Sequence, residues 1–241
     1  MTNVIVLTAT SKEQSLLVEE TEKGICHQVG GRAWYSGKLR GRSVHLIEGG
    51  IGAVNTAQAL TCALQMDSPA MVLQVGVGGG YPGASLHVGD VAFADEEIYG
   101  DLGVQTDAGW QSSEIIGIPV WHDGNGDIFN RFRLDAKLVE RAREIVVAES
   151  AEPVVGAFVT VQECSGTENL GVERENRFNA VCENMEGAAA AHVSKIYDVP
   201  FLEVRGISNL VESRNRDRWN LPLASTAAQS AALLVLEKLL L

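Results

Sequence analysis

Two glutamates stand where a carboxylate can do more than solvate a surface. Glu13 follows the apolar run Val4-Ile-Val-Leu7 and falls near the start of a helix-like segment. Glu186 lies in Glu183-Asn-Met-Glu186-Gly-Ala-Ala-Ala-Ala-His192-Val, at the mouth of a helix of small residues. A carboxylate at a helix start favours the helix dipole or closes a capping box, and that accounts for either residue alone. Together they offer acid–base chemistry: one group to draw a proton from water, another to stabilise positive charge as it develops. A third polar element closes the apolar run Pro200-Phe-Leu-Glu-Val-Arg205-Gly-Ile-Ser-Asn209, placing Arg205 and Asn209 at the end of a strand.

Two glycine-rich turns accompany them. In Glu48-Gly-Gly-Ile-Gly-Ala-Val-Asn55 the turn opens a helix, so its free backbone N–H groups either face an anion or a sugar hydroxyl or simply let helix and strand pack closely. In Gln74-Val-Gly-Val-Gly-Gly-Gly-Tyr-Pro82-Gly83, the residues Gly78, Gly80 and Gly83 satisfy the spacing G-x-G-x-x-G. Pro82 and the following Ser85-Leu-His-Val-Gly-Asp-Val lead into a strand, not the helix a dinucleotide site requires, so no such cofactor is expected. Glycines at a strand's carboxyl end still mark close backbone approach to a ligand or another segment.

The elements that must hold these residues follow from apolar periodicity. Runs at 3–8, 43–48, 71–77, 88–95, 154–161 and 200–207 have the length and Val/Ile/Phe content of buried strands. Helix-like periods cover roughly 11–22, 53–66, 134–150, 186–197 and 221–240. This alternation predicts a mostly parallel sheet covered by helices on both faces, with ligand chemistry beyond the carboxyl ends of the strands. Residues 100–130 show little periodicity and are expected to form a long loop, lid or interface rather than a domain boundary.

Composition narrows the function classes. A chain of 241 residues, 46% of them apolar, can bury one sizeable core, and a single domain over 1–241 is the expectation. The formal net charge of −12 argues against nucleic acid, whose phosphates need a basic footprint, and favours a small-molecule partner. Cys26, Cys62, Cys164 and Cys182 have neither C-x-x-C nor metal-ligand spacing, so free thiols and no metal are expected. With no long apolar run and no basic start to a signal peptide, the expected compartment is the cytoplasm, with no membrane partner.

Taken in order, Val4 to Leu7 with Glu13, Gly50-Ile-Gly52, Gly76-x-x-Gly-Gly, Val88-Gly-Asp-Val, Asn-Met185-Glu186-Gly-Ala and Val204-Arg205-x-Ile207-Ser208 resemble a family pattern. It is that of the purine nucleoside phosphorylase and methylthioadenosine/S-adenosylhomocysteine nucleosidase superfamily, over nearly the whole chain. The resemblance implies one three-layer αβα domain with a central twisted mixed sheet, no cofactor, and a homo-oligomer. It also implies hydrolysis of a nucleoside's N-glycosidic bond, with Glu186 and Met185 at the ribose and Glu13 activating water. Gly78, Cys164, Ser165 and Arg205 join the implied substrate-binding set, while Phe158 falls on the strand that leads to the base. His192, inside the Ala helix, is expected to be structural.

Departures from the pattern set finer expectations. Gln74 and Val77 stand where hexameric phosphorylases carry Arg and Ser for phosphate, so water is the expected nucleophile. Adenine-specific nucleosidases carry Asp after the serine, and here it is Asn209. An Asn amide donates to N7 and to a 6-oxo group, so a 6-oxopurine is expected, with Asn209 assisting departure of the base. Within the superfamily the chain looks most like the futalosine hydrolases, which release hypoxanthine on a route to menaquinone from a nucleoside bearing a carboxylate beyond its 5′ carbon. That carboxylate would fall to an arginine of Glu212-Ser-Arg214-Asn-Arg216-Asp-Arg218-Trp219, unless the segment is only a solvated charged loop. Open alternatives are a phosphorylase, an adenine nucleosidase of the methylthioadenosine/S-adenosylhomocysteine type, and a nucleoside-binding sensor without turnover.

Overall fold

The computed structural model describes residues 3–124, 126–149 and 152–239. The chain opens with β1 (Val4–Thr8), a 3-10 turn at Ser11–Glu13 and α1 (Ser15–Glu19). An antiparallel meander follows: β2 (Glu22–Val29), β3 (Arg32–Leu39) and β4 (Arg42–Glu48). Then come α2 (Ala53–Met66), β5 (Met71–Gly80) and β6 (Val91–Tyr99). Two small antiparallel pairs occupy the irregular region, β7 (Gly103–Thr106) with β8 (Gly109–Ser112) and β9 (Trp121–His122) with β10 (Asp127–Ile128). The rest is β11 (Arg131–Arg133), α3 (Ala136–Val147), β12 (Val154–Thr160), α4 (Glu168–Phe178), β13 (Ala180–Asn184), α5 (Gly187–Ile196), β14 (Phe201–Leu210) and α6 (Leu221–Lys238).

These elements build a mixed ten-stranded sheet along the path β11-β6-β12-β13-β5-β1-β4-β3-β2. β14 pairs parallel with β5 and antiparallel with β6, so β5, β14, β6, β12 and β13 close into a ring. That closure gathers the ends of β5, β13 and β14, with their glycines, acids and Asn209, into one place. β1 shows why its sequence reads as an unbroken apolar run: Val4 and Val6 enter one core with Val75, Val204, Ala228 and Leu236, whereas Ile5 and Leu7 enter another with Leu60, Ala63 and Ala190. Helices α3 and α6 cover the first face and α2 and α5 the second, giving the three expected layers around a mixed sheet. Among the described residues, no helix is long and apolar enough to cross a membrane.

The six expected strands are present, lengthened or shifted by a few residues. The helix expected over 11–22 breaks at Gln14 and ends at Glu19, and Thr21 and Glu22 lead into β2. Of the outer meander only β4 was legible; β2 is an edge strand exposed along nearly its whole length, which leaves no alternation to detect. α4 escaped for a similar reason: the polar stretch Glu-Asn-Leu-Gly-Val-Glu-Arg-Glu-Asn-Arg-Phe buries only Gly171, Arg174 and Phe178. Its caps were the available signal, Thr167 accepting from the Leu170 N–H and Asn179 in the left-handed region. Residues 150 and 240, the expected ends of two helices, lie outside the described residues, as do Met1 and Thr2.

Candidate active site

Glu13 ends the 3-10 turn that follows β1, and it is 6% exposed. One carboxylate oxygen, Oε2, accepts from the Thr10 N–H at 2.9 Å and from the Thr10 hydroxyl at 2.7 Å. The other, Oε1, accepts at 2.9 Å from the backbone N–H of Val77 in β5. Helix capping therefore explains only half of what holds this side chain. A donor from a strand remote in sequence holds the rest, so the carboxylate is fixed before any ligand arrives.

Glu186 occupies the N-cap position of α5, 4% exposed. Its Oε1 accepts from the Gly52 N–H at 3.0 Å, and its Oε2 from Arg205 Nη1 at 3.2 Å. The glycine turn before α2 thus spends that N–H on a protein carboxylate rather than on a ligand. Gly52, at φ +90°, adopts a conformation open to glycine but strained for other residues, which is why the turn can bring its amide there. The backbone of Glu186 is held separately: the Asn184 side-chain oxygen accepts from the N–H groups of Glu186 and Gly187 at 2.9 and 2.8 Å.

Arg205 joins the two carboxylates. Its guanidinium donates to Glu203 at 2.8 Å, to Glu186 at 3.2 Å and at 3.0 Å to the carbonyl of Val77, the residue whose N–H binds Glu13. Burial acts to lower its pKa, but the charges of Glu203, Glu186 and Glu13 outweigh that and raise it. Gly76 is required by this convergence, since a Cβ there would lie 2.6 Å from Arg205 Nη1 and 2.9 Å from Glu13 Oε1. Of the expected substrate-binding residues, Arg205 is only 1% exposed and stands behind Glu186 rather than in the lining of the cleft.

Glu13 and Glu186 both open on a cleft of about 1070 Å³, large enough for a substituted nucleoside. Val77, Gly78, Cys164, Ser165, Met185 and Asn209 also line it, so the structure gathers the remaining expected contact residues in one place. Asn209 is tethered, its Oδ1 accepting from the Ser208 hydroxyl at 2.8 Å and its Nδ2 donating to the Leu210 carbonyl at 3.0 Å. Phe158 is fully buried in the core and away from the cleft. Burial, then the charge of Glu183, pushes the Cys164 thiol up, the reverse of what a nucleophile needs. His192 stacks on Phe132 and hydrogen-bonds Tyr99 at 3.2 Å, a core contact as expected.

The three arginines of the 212–219 segment separate. Arg214 lines the cleft with its guanidinium 4.9 Å over the Trp219 ring, whereas Arg218 pairs with Glu212 and neither it nor Arg216 reaches the cleft. Gln74 is fully buried with no hydrogen-bond partner for its amide among the described residues, and Val77 presents an apolar side chain to the cleft. Sequence reasoning missed Glu183, whose oxygens accept from the Ser165 N–H at 2.8 Å and hydroxyl at 2.6 Å and pair with Arg174 at 3.3 Å, fixing the Cys164–Ser165 wall. It also missed Lys12 and Trp219 in the cleft, and Asn184 and Glu203 behind it. Glu203 did leave a signal: a carboxylate inside an apolar strand run is costly unless paired.

The model of the phosphorylase superfamily matches residues 3–240. Among solved structures, the chain is similar to the S-adenosylhomocysteine nucleosidase of Streptococcus pyogenes bound to 5-methylthiotubericidin, with TM-score 0.85, 20% identity, and 100% of this chain and 98% of that one covered. It is similar also to the 5′-methylthioadenosine/S-adenosylhomocysteine nucleosidase of Neisseria meningitidis in complex with methylthio-immucillin-A, at TM-score 0.85 and 24% identity, covering 99% and 100%. A third is the corresponding nucleosidase of Colwellia psychrerythraea with adenine, at TM-score 0.84 and 22% identity, covering 98% and 94%. At these identities the likeness establishes a shared fold.

Proposed function

The chain belongs to the phosphorylase superfamily, and from that premise we propose that its cleft hydrolyses the N-glycosidic bond of a purine nucleoside. The observation that carries this reading is the pair of buried carboxylates, Glu13 and Glu186, held on either side of one network through the backbone of Val77 and the side chain of Arg205. Glu186 and Met185 receive the ribose, and Glu186 stabilises the positive charge that builds on the sugar as the bond to the base lengthens. Glu13 takes a proton from water as its oxygen joins C1′. The base leaves with the bonding electron pair, held by the Asn209 amide, and is protonated from water.

Water is favoured over phosphate by the cleft's donors. Lys12 and Arg214 are its lining cations among the described residues, both exposed, while the Arg205 guanidinium is already committed to Glu203, Glu186 and Val77. A phosphate dianion beside the sugar would lack the charge-assisted fork it needs.

The finer choice of base rests on Asn209. With its oxygen engaged by Ser208 and one N–H by Leu210, one N–H remains for an acceptor, which suits the 6-oxo group or N7 of hypoxanthine and the futalosine type of substrate. Arg214, exposed on the cleft lining over Trp219, supports a contact to a carboxylate beyond the 5′ carbon. An adenine nucleosidase of the methylthioadenosine/S-adenosylhomocysteine type is the second reading, and the similar structures, with adenine and methylthio nucleoside analogues, favour it. Incubation with futalosine, inosine and methylthioadenosine, each with and without phosphate, decides among them. Release of hypoxanthine from futalosine without phosphate is the expected result; adenine from methylthioadenosine alone selects the second reading. Ribose 1-phosphate would overturn hydrolysis, and tight binding without any base released would make the protein a sensor.

A further inference from the structure

Behind Glu186 the interior holds a second pair of carboxyl groups that the chemistry above does not use. Glu97 of β6 and Glu203 of β14 are both 0% exposed. They face each other across Gly187: a Cβ at that position would lie 2.0 Å from Glu97 Oε1 and 2.3 Å from Glu203 Oε2. Glu97 accepts from the Thr160 hydroxyl and from the Asn184 amide, each at 2.7 Å. Glu203 accepts from Arg205 through Oε1, while its Oε2 meets no donor among the protein's other described groups.

Two arms run from this pair to Glu186. One passes from Glu97 through the Asn184 amide to the backbone N–H groups of Glu186 and Gly187. The other passes from Glu203 through Arg205 to the Glu186 carboxylate. Two carboxylates in contact and shut off from bulk solvent cannot both stay charged, and the Glu203 oxygen to which no described protein group donates is placed to receive the proton. We propose that Glu97 and Glu203 share one proton, that this proton closes a buried ring linking the backbone and side chain of Glu186, and that the ring is a positioning device for the ribose. It rests on the reading that Glu186 holds the sugar.

The charges around the pair support the same arrangement. Burial, then the neighbouring Glu203, raises the Glu97 pKa well above the ordinary carboxyl range. The groups facing it are Arg205 and Glu203 on β14, Cys182 on β13, Tyr99 on its own strand, and Glu186 and Glu13 beyond Arg205. With Glu97 neutral, Glu203 balances Arg205, and the charge of Glu186 is left for the sugar cation. Because the folded pKa is raised, the stability this proton contributes is complete below the ordinary carboxyl range and is lost as pH rises through the folded value.

The test separates the ring from mere packing and from the assigned reaction. Infrared difference spectra of the wild type against Glu203→Gln are expected to show a protonated carboxyl stretch that the variant lacks. Glu97→Leu is expected to raise KM for the nucleoside about tenfold, the cost of an unsatisfied buried partner, while leaving the affinity for the free purine base unchanged, which also shows that it is folded. Glu203→Gln supplies the donor permanently, its amide nitrogen in place of the unpartnered Oε2 and its oxygen keeping the Arg205 bond, so KM should stay near the wild-type value and its rise at alkaline pH should flatten. A Gln variant as impaired as the Leu variant, or the absence of the carboxyl band, overturns the proposal. A band in a protein that cleaves no nucleoside upholds the shared proton and removes the hydrolase reading instead.

Discussion

At the inner wall of the cleft, Glu13 and Glu186 are 6% and 4% exposed, and each carboxylate oxygen has at least one donor. At the rim, Arg214, Arg216 and Arg218 stand in water, one stacked on Trp219 and one paired with Glu212. The inner groups come from four distant segments and cannot move singly, because each is held by a neighbour that holds another. The rim residues come from one short loop and answer to little but solvent. A reacting centre gains from groups that need no reorganisation as charge develops, whereas a rim that fits the far end of a substrate can change without cost to the core. On the proposed reading, bond cleavage belongs to the first region and selection of the 5′ group to the second.

The largest expected effect attacks the inner wall directly. Glu13→Gln keeps the size of the side chain and removes the proposed base, so kcat should fall roughly 10²- to 10⁴-fold. Steady-state kinetics with the preferred nucleoside check this, and an active variant would assign the proton transfer elsewhere. Next, Arg205→Met leaves Glu203 and Glu186 without their shared cation. Urea unfolding should show a loss of about 3–5 kcal/mol, typical of breaking a buried charged network by removing one partner. Arg214→Met should stay within about 0.5 kcal/mol of the wild type, as exposed substitutions usually do. Equal losses at both sites would erase the distinction between wall and rim.

Asn209→Asp sharpens the comparison between these extremes. It should shift the ratio of kcat/KM for 6-oxo over 6-amino nucleosides toward the amine by roughly 1–3 kcal/mol, the cost of one mismatched buried polar group. An unchanged ratio would mean that the base is read by other groups, such as the Cys164–Ser165 wall. The smallest effect belongs to the rim: Arg214→Ala should raise KM by a factor of about five or less for a substrate with an anionic 5′ group, and Arg216→Ala should change nothing measurable. A rise of the same size with a neutral 5′ group would remove the charge contact and leave only packing on Trp219.

Much of the scaffold was legible because its strands and helices are buried on defined faces. β1, β5 and β14 read as apolar runs because both faces of each are covered, and α2 begins and ends where its period does. The edge strand β2 and the polar helix α4 were not legible, since β2 has almost no buried residue and the buried face of α4 is Gly171, Arg174 and Phe178, with a single large apolar side chain to mark a period. Glu13, Glu186 and Asn209, singled out by residue type, place and order along the chain, line one cleft. Lys12, Glu183 and Trp219 were not singled out, because nothing local distinguishes a charge or a ring that faces a cleft from one that faces water.

The sequence by itself determined the layered αβα scaffold, the positions of its acidic residues at helix starts, and the absence of the helix that a dinucleotide turn requires. Only the tertiary structure decided what those residues do to one another. It showed that the Gly52 amide serves Glu186, that Arg205 stands behind the carboxylates, that one of the three loop arginines lines the cleft, and that Glu97 and Glu203 meet across Gly187. The physical reason is range. Apolar periodicity is a local property that the chain carries along its length, whereas a hydrogen bond or a shared proton depends on distances of about 3 Å between segments that only the closed ring of β5, β14, β6, β12 and β13 brings together.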